Sequence, residues 1–171
     1  MRYIALWRGI NVGKAKRLAM ADLKTLLTEL GATNVATLLN SGNAVFDSQK
    51  KLSADKIRKA VHDKLGVDAA VILKTAAEWA PIAAGHGIEG ADDPSRLLVA
   101  VTADAAALKA AEGIGTVGDE RFVVTGHAAY LWCANGILES QAGVQLLKKL
   151  GEGGTTRNWA TVLKLQALAA G

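Results

Sequence analysis

A basic, glycine-bracketed segment near the N-terminus carries the residues best suited to hold a ligand. It covers residues 8–17, Arg8-Gly9-Ile10-Asn11-Val12-Gly13-Lys14-Ala15-Lys16-Arg17, directly after an apolar run. The two glycines let the backbone turn without a Cβ penalty, so that several N–H groups can point at one position. Five basic residues, the first being Arg2, precede the first acidic residue, Asp22. The segment is locally cationic and predicts contact with an anion.

Two further polar segments are candidates for the same site. Asn40-Ser41-Gly42-Asn43 separates two short β-prone runs and is a hairpin-turn signal, because asparagine and glycine tolerate positive φ. Near the C-terminus, Thr155-Thr156-Arg157-Asn158-Trp159 precedes a helical pattern. We expect a threonine to cap that helix, which puts Arg157 at a helix N-terminus. A cation opposes the macrodipole there, which favours an anionic partner.

The predicted ligand is a phosphate-bearing small molecule or nucleic acid. Backbone N–H groups of residues 8–17 would cradle phosphate, with an arginine as a fork. The segment is not a Walker A motif, because Gly13-Lys14 is followed by alanine, and it is not a dinucleotide fingerprint. The predicted ligand-binding residues are Arg8, Gly9, Asn11, Gly13, Lys14, Arg17, Ser41, Asn43, Arg157 and Asn158.

Other chemistries find little support in the residue pattern. His62, His86 and His127 are scattered without metal-ligand spacing, so we expect no metal site and no cofactor. Cys133 lies in a strand pattern and is expected to be a small buried hydrophobe. No serine stands in a G-x-S-x-G motif, and no strand matches the aromatic signature of RNA-binding ferredoxin-like modules.

The elements that would position these residues follow the order β-α-β-β-α-β over residues 1–74, which is the ferredoxin-like plan. Strand patterns cover residues 3–7, 33–39, 44–46 and 69–73, and helical patterns run from Met20 to Gly31 and from a Ser53 cap to Gly66. In this plan we expect the 40–43 turn at the end of the sheet opposite to the end of the first strand. A second half or a partner subunit would then have to bring the two segments together.

The order β-α-β-β-α begins again after a loop at residues 85–95. Thr75 to Glu78 has capping-box form and starts a short helix that we expect to be interrupted near Pro81. Asp104 and Ser140 are expected to cap helices ending at Gly113 and Gly151. The final strand of this repeat is missing from the pattern. The predicted division is an N-terminal half 1–74, a linker 75–95 and a C-terminal half 96–171. The expected class is α+β, with two ferredoxin-like halves of antiparallel sheet and a C-terminal helix.

Composition limits the compartment. Half of the 171 residues are hydrophobic, 21% are charged and the net charge is +4, so a sizeable core is expected. Residues 75–120 carry eight acidic and two basic residues, whereas both ends of the chain are basic. One cysteine and no apolar stretch of about 20 residues predict a cytoplasmic protein that does not enter a membrane.

The three segments together resemble a known family. R-G-I-N-V-G at 8–13, S-G-N at 41–43 and R-N-W at 157–159 are similar to the signatures, in the same order, of the bacterial "domain of unknown function 1697" family. The resemblance covers essentially the whole chain. It implies a soluble bacterial protein built from ferredoxin-like halves, and it implies no activity. Members often have glutamine and asparagine where this chain has Asn40 and Ala160.

Three functions remain open from the sequence. The leading hypothesis is a binding protein for the anionic ligand described above. The second is a small enzyme with a polar site between the halves, in which Asn11, Ser41, Asn43 and Arg157 polarise a substrate. The third is a non-catalytic homodimer that buries an open sheet face or edge.

Overall fold

The computed structural model describes all 171 residues and contains eight strands and six α-helices. In chain order these are β1 (Arg2–Trp7), α1 (Met20–Glu29), β2 (Thr33–Thr37), β3 (Asn43–Asp47), α2 (Ala54–Leu65), β4 (Val71–Thr75), α3 (Ala76–Ala83), β5 (Leu97–Thr102), α4 (Ala105–Lys109), β6 (Arg121–Val124), β7 (Ala129–Trp132), α5 (Gln141–Leu150), β8 (Gly154–Asn158) and α6 (Trp159–Ala170). Single-turn 3-10 helices at Ile137–Glu139 and Gly151–Gly153 flank α5. None of the helices combines the length and the apolar character needed to cross a membrane.

The chain divides into two compact units, each with one four-stranded sheet. The N-terminal unit consists of Met1–Trp79 and Leu165–Gly171, and the C-terminal unit is Ala80–Lys164. The strand orders are β2-β3-β1-β4 and β6-β7-β5-β8, and all neighbouring strands are antiparallel. This confirms an α+β fold of two ferredoxin-like halves with a C-terminal helix.

In the N-terminal unit the core lies between the sheet and helices α1 and α2. Alternate residues of β1 point to this side, as expected for a period of two. They pack with leucines of α1 and with Ile57 and Val61 of α2. In the C-terminal unit, Leu98 and Leu131 pack in the same manner with leucines of α4 and α5.

The opposite faces of the two sheets are also buried. Ile4 and Leu6 of β1, and Val99 and Val101 of β5, are 0% exposed although they point away from the helices of their own sheet. The near-continuous apolar sequence of β5 is typical of a strand covered on both sides. The homodimer hypothesis named an open sheet face or an edge as the buried surface. Strands β1 and β5 show no open face, which leaves the edge.

Local capping signals are confirmed atom by atom. The side chains of Ser53, Asp104 and Ser140 accept hydrogen bonds from the backbone N–H three residues ahead. Thr75 and Glu78 form the reciprocal capping box, with Glu78 N to Thr75 Oγ1 at 3.2 Å and Thr75 N to Glu78 Oε1 at 3.1 Å. These contacts span only three residues, so the sequence itself encodes them.

Some element boundaries differ from the prediction. Helix α3 is not interrupted at Pro81 but continues to Ala83, and α4 ends at Lys109, after which turns lead to Gly113. The predicted missing strand exists: β8 pairs with β5 from Gly154 opposite Thr102 to Asn158 opposite Leu98. The β-α-β-β-α-β order of the C-terminal unit is therefore complete.

Arg2 connects three parts of the N-terminal unit. Its Nε and Nη2 donate to the two carboxylate oxygens of Asp47 at 2.8 and 3.1 Å. Its Nη1 donates to the backbone oxygens of Leu168 and Gly171 at the end of α6, at 3.1 and 2.9 Å. The Arg2 guanidinium, together with the Asn34 amide, lowers the pKa of Asp47 from 3.8 to about 2. Arg2 thus stabilises the N-terminal unit and is not part of the basic segment at residues 8–17.

Candidate functional site

The segment at residues 8–17, called the basic loop below, folds back on itself after β1. Val12 and Ala15 form an isolated bridge, and Asn11 N donates to Lys16 O at 3.0 Å. Gly9 and Gly13 have φ of 70° and 60°, in the left-handed region that glycine adopts without strain. Both glycines predicted to let the backbone turn here do so.

The Asn11 side chain holds the basic loop to the 40–43 turn. Its Oδ1 accepts from Leu18 N at 2.7 Å, and its Nδ2 donates to Leu18 O and to Asn40 O, both at 2.8 Å. Both amide protons of Asn11 are engaged in these bonds. Asn11 therefore acts as a clamp between two segments that are 29 residues apart in the chain.

The 40–43 turn is closed by its own hydrogen bonds. Leu38 N donates to Asn43 O at 2.9 Å, and the buried Asn43 amide donates to Leu38 O at 2.7 Å and to Ser41 Oγ at 3.0 Å. Gly42 has φ of 93°, and a Cβ on it would lie 2.6 Å from Ile10 Cδ1 and 2.9 Å from Trp7 Cβ. Glycine is required here by both the dihedral angle and the close approach of the basic loop.

The expected separation of these two segments is wrong, because both lie at the same end of the sheet. β1 and β2 are each antiparallel to β3, so they run in the same direction and both finish at the same end of the sheet. The turn after β2 therefore meets the end of β1, where Leu6 pairs with Asn43 and Trp7 N donates to Gly42 O at 3.0 Å. Neither a second half nor a partner subunit is needed to bring the turn and the basic loop together.

The basic side chains of the loop differ in what they contact. Arg17 Nη1 donates to the backbone oxygens of Asn11 and Gly13, both at 3.3 Å, which leaves its other nitrogens at the surface. Arg8 is half-buried, and Lys14 and Lys16 are exposed. Lys16 has φ of 50°, an uncommon conformation for a residue with a side chain. No acidic residue occurs within the basic loop.

A cavity of about 510 Å³ opens between the basic loop, the turn and the start of α1. Asn11, Arg17 and Asn40 line it together with Ala19 and Met20, and Asp22 is its only carboxylate. Ala19, at the N-cap position of α1, offers no side-chain acceptor to the first turn of the helix. Asp22 N and Leu23 N donate to Ala19 O, both at 3.1 Å, so the backbone N–H groups of Met20 and Ala21 are left for solvent or a ligand.

The predicted helix N-terminus at Arg157 is wrong, because Arg157 lies within β8, opposite Val99 of β5. Its Nη1 donates to Thr155 Oγ1 at 3.1 Å and to Thr156 O at 2.8 Å. Arg157 is 8% exposed, and this burial lowers the pKa of its guanidinium to about 10, so the side chain stays charged at neutral pH. The cap of α6 is Asn158, whose Oδ1 accepts from Thr161 N at 2.9 Å.

Sequence reasoning missed two parts of the candidate site. Leu39, 51% exposed, has φ of 60°, which is an outlier for a bulky residue. The backbone of Leu18 is the second, since it forms both other contacts of the Asn11 clamp. No signal in the sequence points to either residue, because leucine disfavours the left-handed conformation and a backbone group carries no residue-specific pattern.

Cys133 is confirmed as a buried residue, 0% exposed. Burial raises the pKa of its thiol, which keeps it protonated at neutral pH. Nearby, the Ser140 hydroxyl donates to the buried Glu120 carboxylate at 2.5 Å while accepting from Gly143 N. The Ser140–Glu120 contact fixes the start of α5. The Cys133 sulfur is buried and lacks the exposure that a nucleophile needs.

Comparison with known proteins identifies the family without assigning an activity. No curated protein matches the chain. Among solved structures, a conserved bacterial protein from Streptococcus pneumoniae is similar over 98% of both chains, with a TM-score of 0.75 and 22% sequence identity, which is evidence for a shared fold. The family model described as a protein of unknown function, DUF1697, matches residues 1–130. The chain therefore belongs to the DUF1697 family.

Proposed function

We propose that the protein binds a phosphate-bearing anion at the end of the N-terminal sheet where the basic loop and the 40–43 turn are clamped together. The ligand would contact the side chains of Lys14, Lys16 and Arg17, with Arg8 at the base of the loop. These four cations lie within ten consecutive residues that contain no acid. Phosphate suits this set because lysine and arginine both bind it as charged donors.

The observation that carries the proposal is the cluster of left-handed residues held by the Asn11 clamp. Gly9, Asn11, Gly13, Lys16, Leu39 and Gly42 all have positive φ and belong to the two joined segments. For Lys16 and Leu39 this conformation costs of order 1 kcal/mol or more each, and such strain persists only where the surrounding structure enforces it. Strained residues concentrate at functional sites, so a strained, exposed and cationic surface supports a binding role.

The cavity beside Arg17 offers the ligand a partly enclosed position. The uncapped first turn of α1 adds backbone N–H donors and the positive end of the helix dipole. Asp22, in the first turn, offsets one positive charge on this side. We therefore expect the anion to lie on the side of the cavity formed by Arg17 and Asn40.

A polyanion binding here should be displaced by salt, because each phosphate contact releases condensed counterions. Retention on immobilised heparin, read as the salt concentration at elution, measures this. The variant carrying Lys14→Gln and Lys16→Gln removes two charges without touching the Asn11 clamp. We expect it to elute at clearly lower salt than the wild type, with an affinity roughly tenfold lower at constant salt.

The matched control carries Lys148→Gln and Lys149→Gln, two exposed lysines at the end of α5. It has the same net charge as the loop variant, so we expect it to elute with the wild type. Equal shifts for the two variants would mean that retention reports net charge alone. Unchanged elution of the loop variant would exclude the basic loop as the contact surface.

A further inference from the structure

A second cavity lies at the opposite end of the same sheet. It has a volume of about 470 Å³ and opens where β1 begins, β3 has ended and β4 passes into α3. The register fixes this position, because Arg2 pairs with Asp47 and Tyr3 with Thr75. The six residues of β1 separate this cavity from the basic loop by about 17 Å. It is therefore distinct from the anion site proposed above, and it is called the lysine cleft below.

The floor of the lysine cleft is apolar. Tyr3 and Leu52 line it although they are only 5% and 3% exposed, and Leu73 completes the surface. The Tyr3 ring is held in place by stacking on Phe46, with centroids 5.7 Å apart and an interplanar angle of 26°. The stacked Tyr3 ring, Leu52 and Leu73 together offer an apolar surface to a bound group.

The Tyr3 hydroxyl gives the floor one polar atom. It makes no hydrogen bond within the chain and is not sealed from solvent, and Tyr3 lines the cleft. A tyrosine with a buried ring and an accessible hydroxyl can donate to an oxygen of a bound molecule.

The rim of the lysine cleft is positively charged. Lys50, Lys51 and Lys74 line it with the Met1 segment, whose terminal ammonium donates to Ser48 O at 3.0 Å. The Ser48 hydroxyl donates to Lys50 O at 2.7 Å and so fixes the backbone that carries Lys50 and Lys51. Both of these lysines are exposed and form no ion pair.

The carboxylates at this end of the sheet already have partners. Glu78, the one acidic residue lining the lysine cleft, accepts from Thr75 N in the capping box. Asp47, at the end of β3, receives two hydrogen bonds from Arg2 and one from Asn34. The positive charge of Lys50 and Lys51 is therefore directed at solvent and at whatever enters the cleft.

We propose that the lysine cleft binds a small amphipathic anion, with an apolar body on Tyr3, Leu52 and Leu73 and a single carboxylate or phosphate group at Lys50 and Lys51. The volume falls within the roughly 300–1,000 Å³ typical of small-molecule sites, and such sites combine an apolar lining with a few convergent polar groups. A purely polar ion would leave the floor uncovered, and a neutral apolar molecule would leave the lysines unused.

Titration followed by backbone amide NMR tests this with three probes that share one ring system. Naphthalene-2-carboxylate and 2-naphthyl phosphate carry the two head groups, and naphthalene-2-carboxamide is the neutral control. We expect both anionic probes to shift amides of residues 48–52 and 74–78. Naphthalene-2-carboxylate should leave those of residues 9–18 in place, whereas any shifts there with 2-naphthyl phosphate would report the separate anion site proposed at the basic loop. They should bind about fivefold more tightly than the carboxamide. The stronger of the two anions identifies the head group.

Two variants connect the binding to named side chains. With Lys50→Gln and Lys51→Gln together, the preference for the anions over the carboxamide should fall close to one, while the carboxamide itself binds as before. The variant with Lys14→Gln and Lys16→Gln should keep the full preference, which separates this site from the basic loop. Equal affinity for charged and neutral probes in the wild type would overturn the proposal. Shifts confined to other residues, or no shift up to the solubility limit of the probes, would overturn it as well.

Discussion

The two units share one sheet topology and differ in the segments that lie at the end of each sheet. In the first sheet Trp7 pairs with Val71, and in the second Thr102 pairs with Gly154. If Val71 is counted as the first residue of β4 and Gly154 as the first of β8, the fourth residues are Lys74 and Arg157. The fifth residues are Thr75 and Asn158. Both of the latter accept a backbone N–H three residues ahead, at the start of α3 and α6. The repeat therefore extends through the helix that follows each sheet.

The difference lies in the connection after the first strand of each sheet. Twelve residues, 8–19, separate β1 from α1, whereas two residues, 103 and 104, separate β5 from α4. The longer connection has room for the basic loop and its clamp. The C-terminal unit lacks such a loop. There, β6 and β7 are connected by a short turn at residues 125–128, which is closed locally by the Thr125 hydroxyl. The comparison teaches that the candidate anion site is an addition to the fold and is not required by it.

The largest predicted effect concerns Gly42, in the turn between β2 and β3, and is compared with Gly126, in the turn between β6 and β7. Gly42→Ala should destabilise the N-terminal unit by about 4 kcal/mol, because the new Cβ meets Trp7 and Ile10 at a positive φ. Gly126→Ala, in the corresponding turn of the C-terminal unit, should change stability by less than about 1 kcal/mol, since nothing lies within 4 Å and its φ is not positive. Urea denaturation measures both. Similar losses in the two variants would contradict the close packing of loop and turn.

An intermediate effect is expected at the caps of the corresponding helices α2 and α5. Ser53→Ala removes one exposed cap and should cost about 1 kcal/mol. Ser140→Ala removes a cap and also a donor to the buried Glu120, so about 3 kcal/mol is expected. Ser140→Thr retains the hydroxyl and should remain near the wild type. Equal urea midpoints for the two alanine variants would show that the Ser140–Glu120 contact adds nothing.

The smallest effect is an acid sensitivity confined to the first sheet. Asp47 has a folded pKa of about 2 against an ordinary 3.8, so its stabilisation is complete above pH 4 and is lost as the pH falls to about 2. Asp47→Asn should lower the melting temperature at pH 5, by an amount equivalent to at most about 1 kcal/mol. The difference should shrink towards pH 2. The corresponding pair in the second sheet, Leu97 and Trp132, cannot titrate. A difference between wild type and variant that does not depend on pH would contradict this assignment.

Local features of the fold were predictable from the sequence, and features set by distant partners were not. The caps at Ser53, Asp104 and Ser140 depend on residues three positions ahead, so the pattern contains all the information. Strand β4 was predicted at residues 69–73 and begins two residues later, at Val71. Pairing with β1 fixes that boundary. The partner strand lies more than sixty residues away, so the pattern within residues 69–73 carries no information about it.

Strand β8 was missed for the same reason. Its sequence, Gly154-Thr155-Thr156-Arg157-Asn158, has two hydroxyls, a cation and an amide, which together favour a cap or a turn. Its extended conformation comes from pairing with β5, more than fifty residues earlier in the chain. The Asn11 clamp is likewise non-local. In contrast, the wrong position predicted for the 40–43 turn was avoidable from topology alone, because strands joined by one crossover helix are parallel and finish at the same end of the sheet.

The contact of Arg2 with the backbone at residues 168–171 has a consequence for synthesis on the ribosome. Residues 1–79 leave the exit tunnel early, yet the unit that they form also contains residues 165–171, which are translated last among those described. The first sheet to be made therefore waits, with part of its surface uncovered, while the contiguous stretch 80–164 receives all of its residues first. During cotranslational folding, the N-terminal unit should therefore be completed last, although most of its residues are synthesised first.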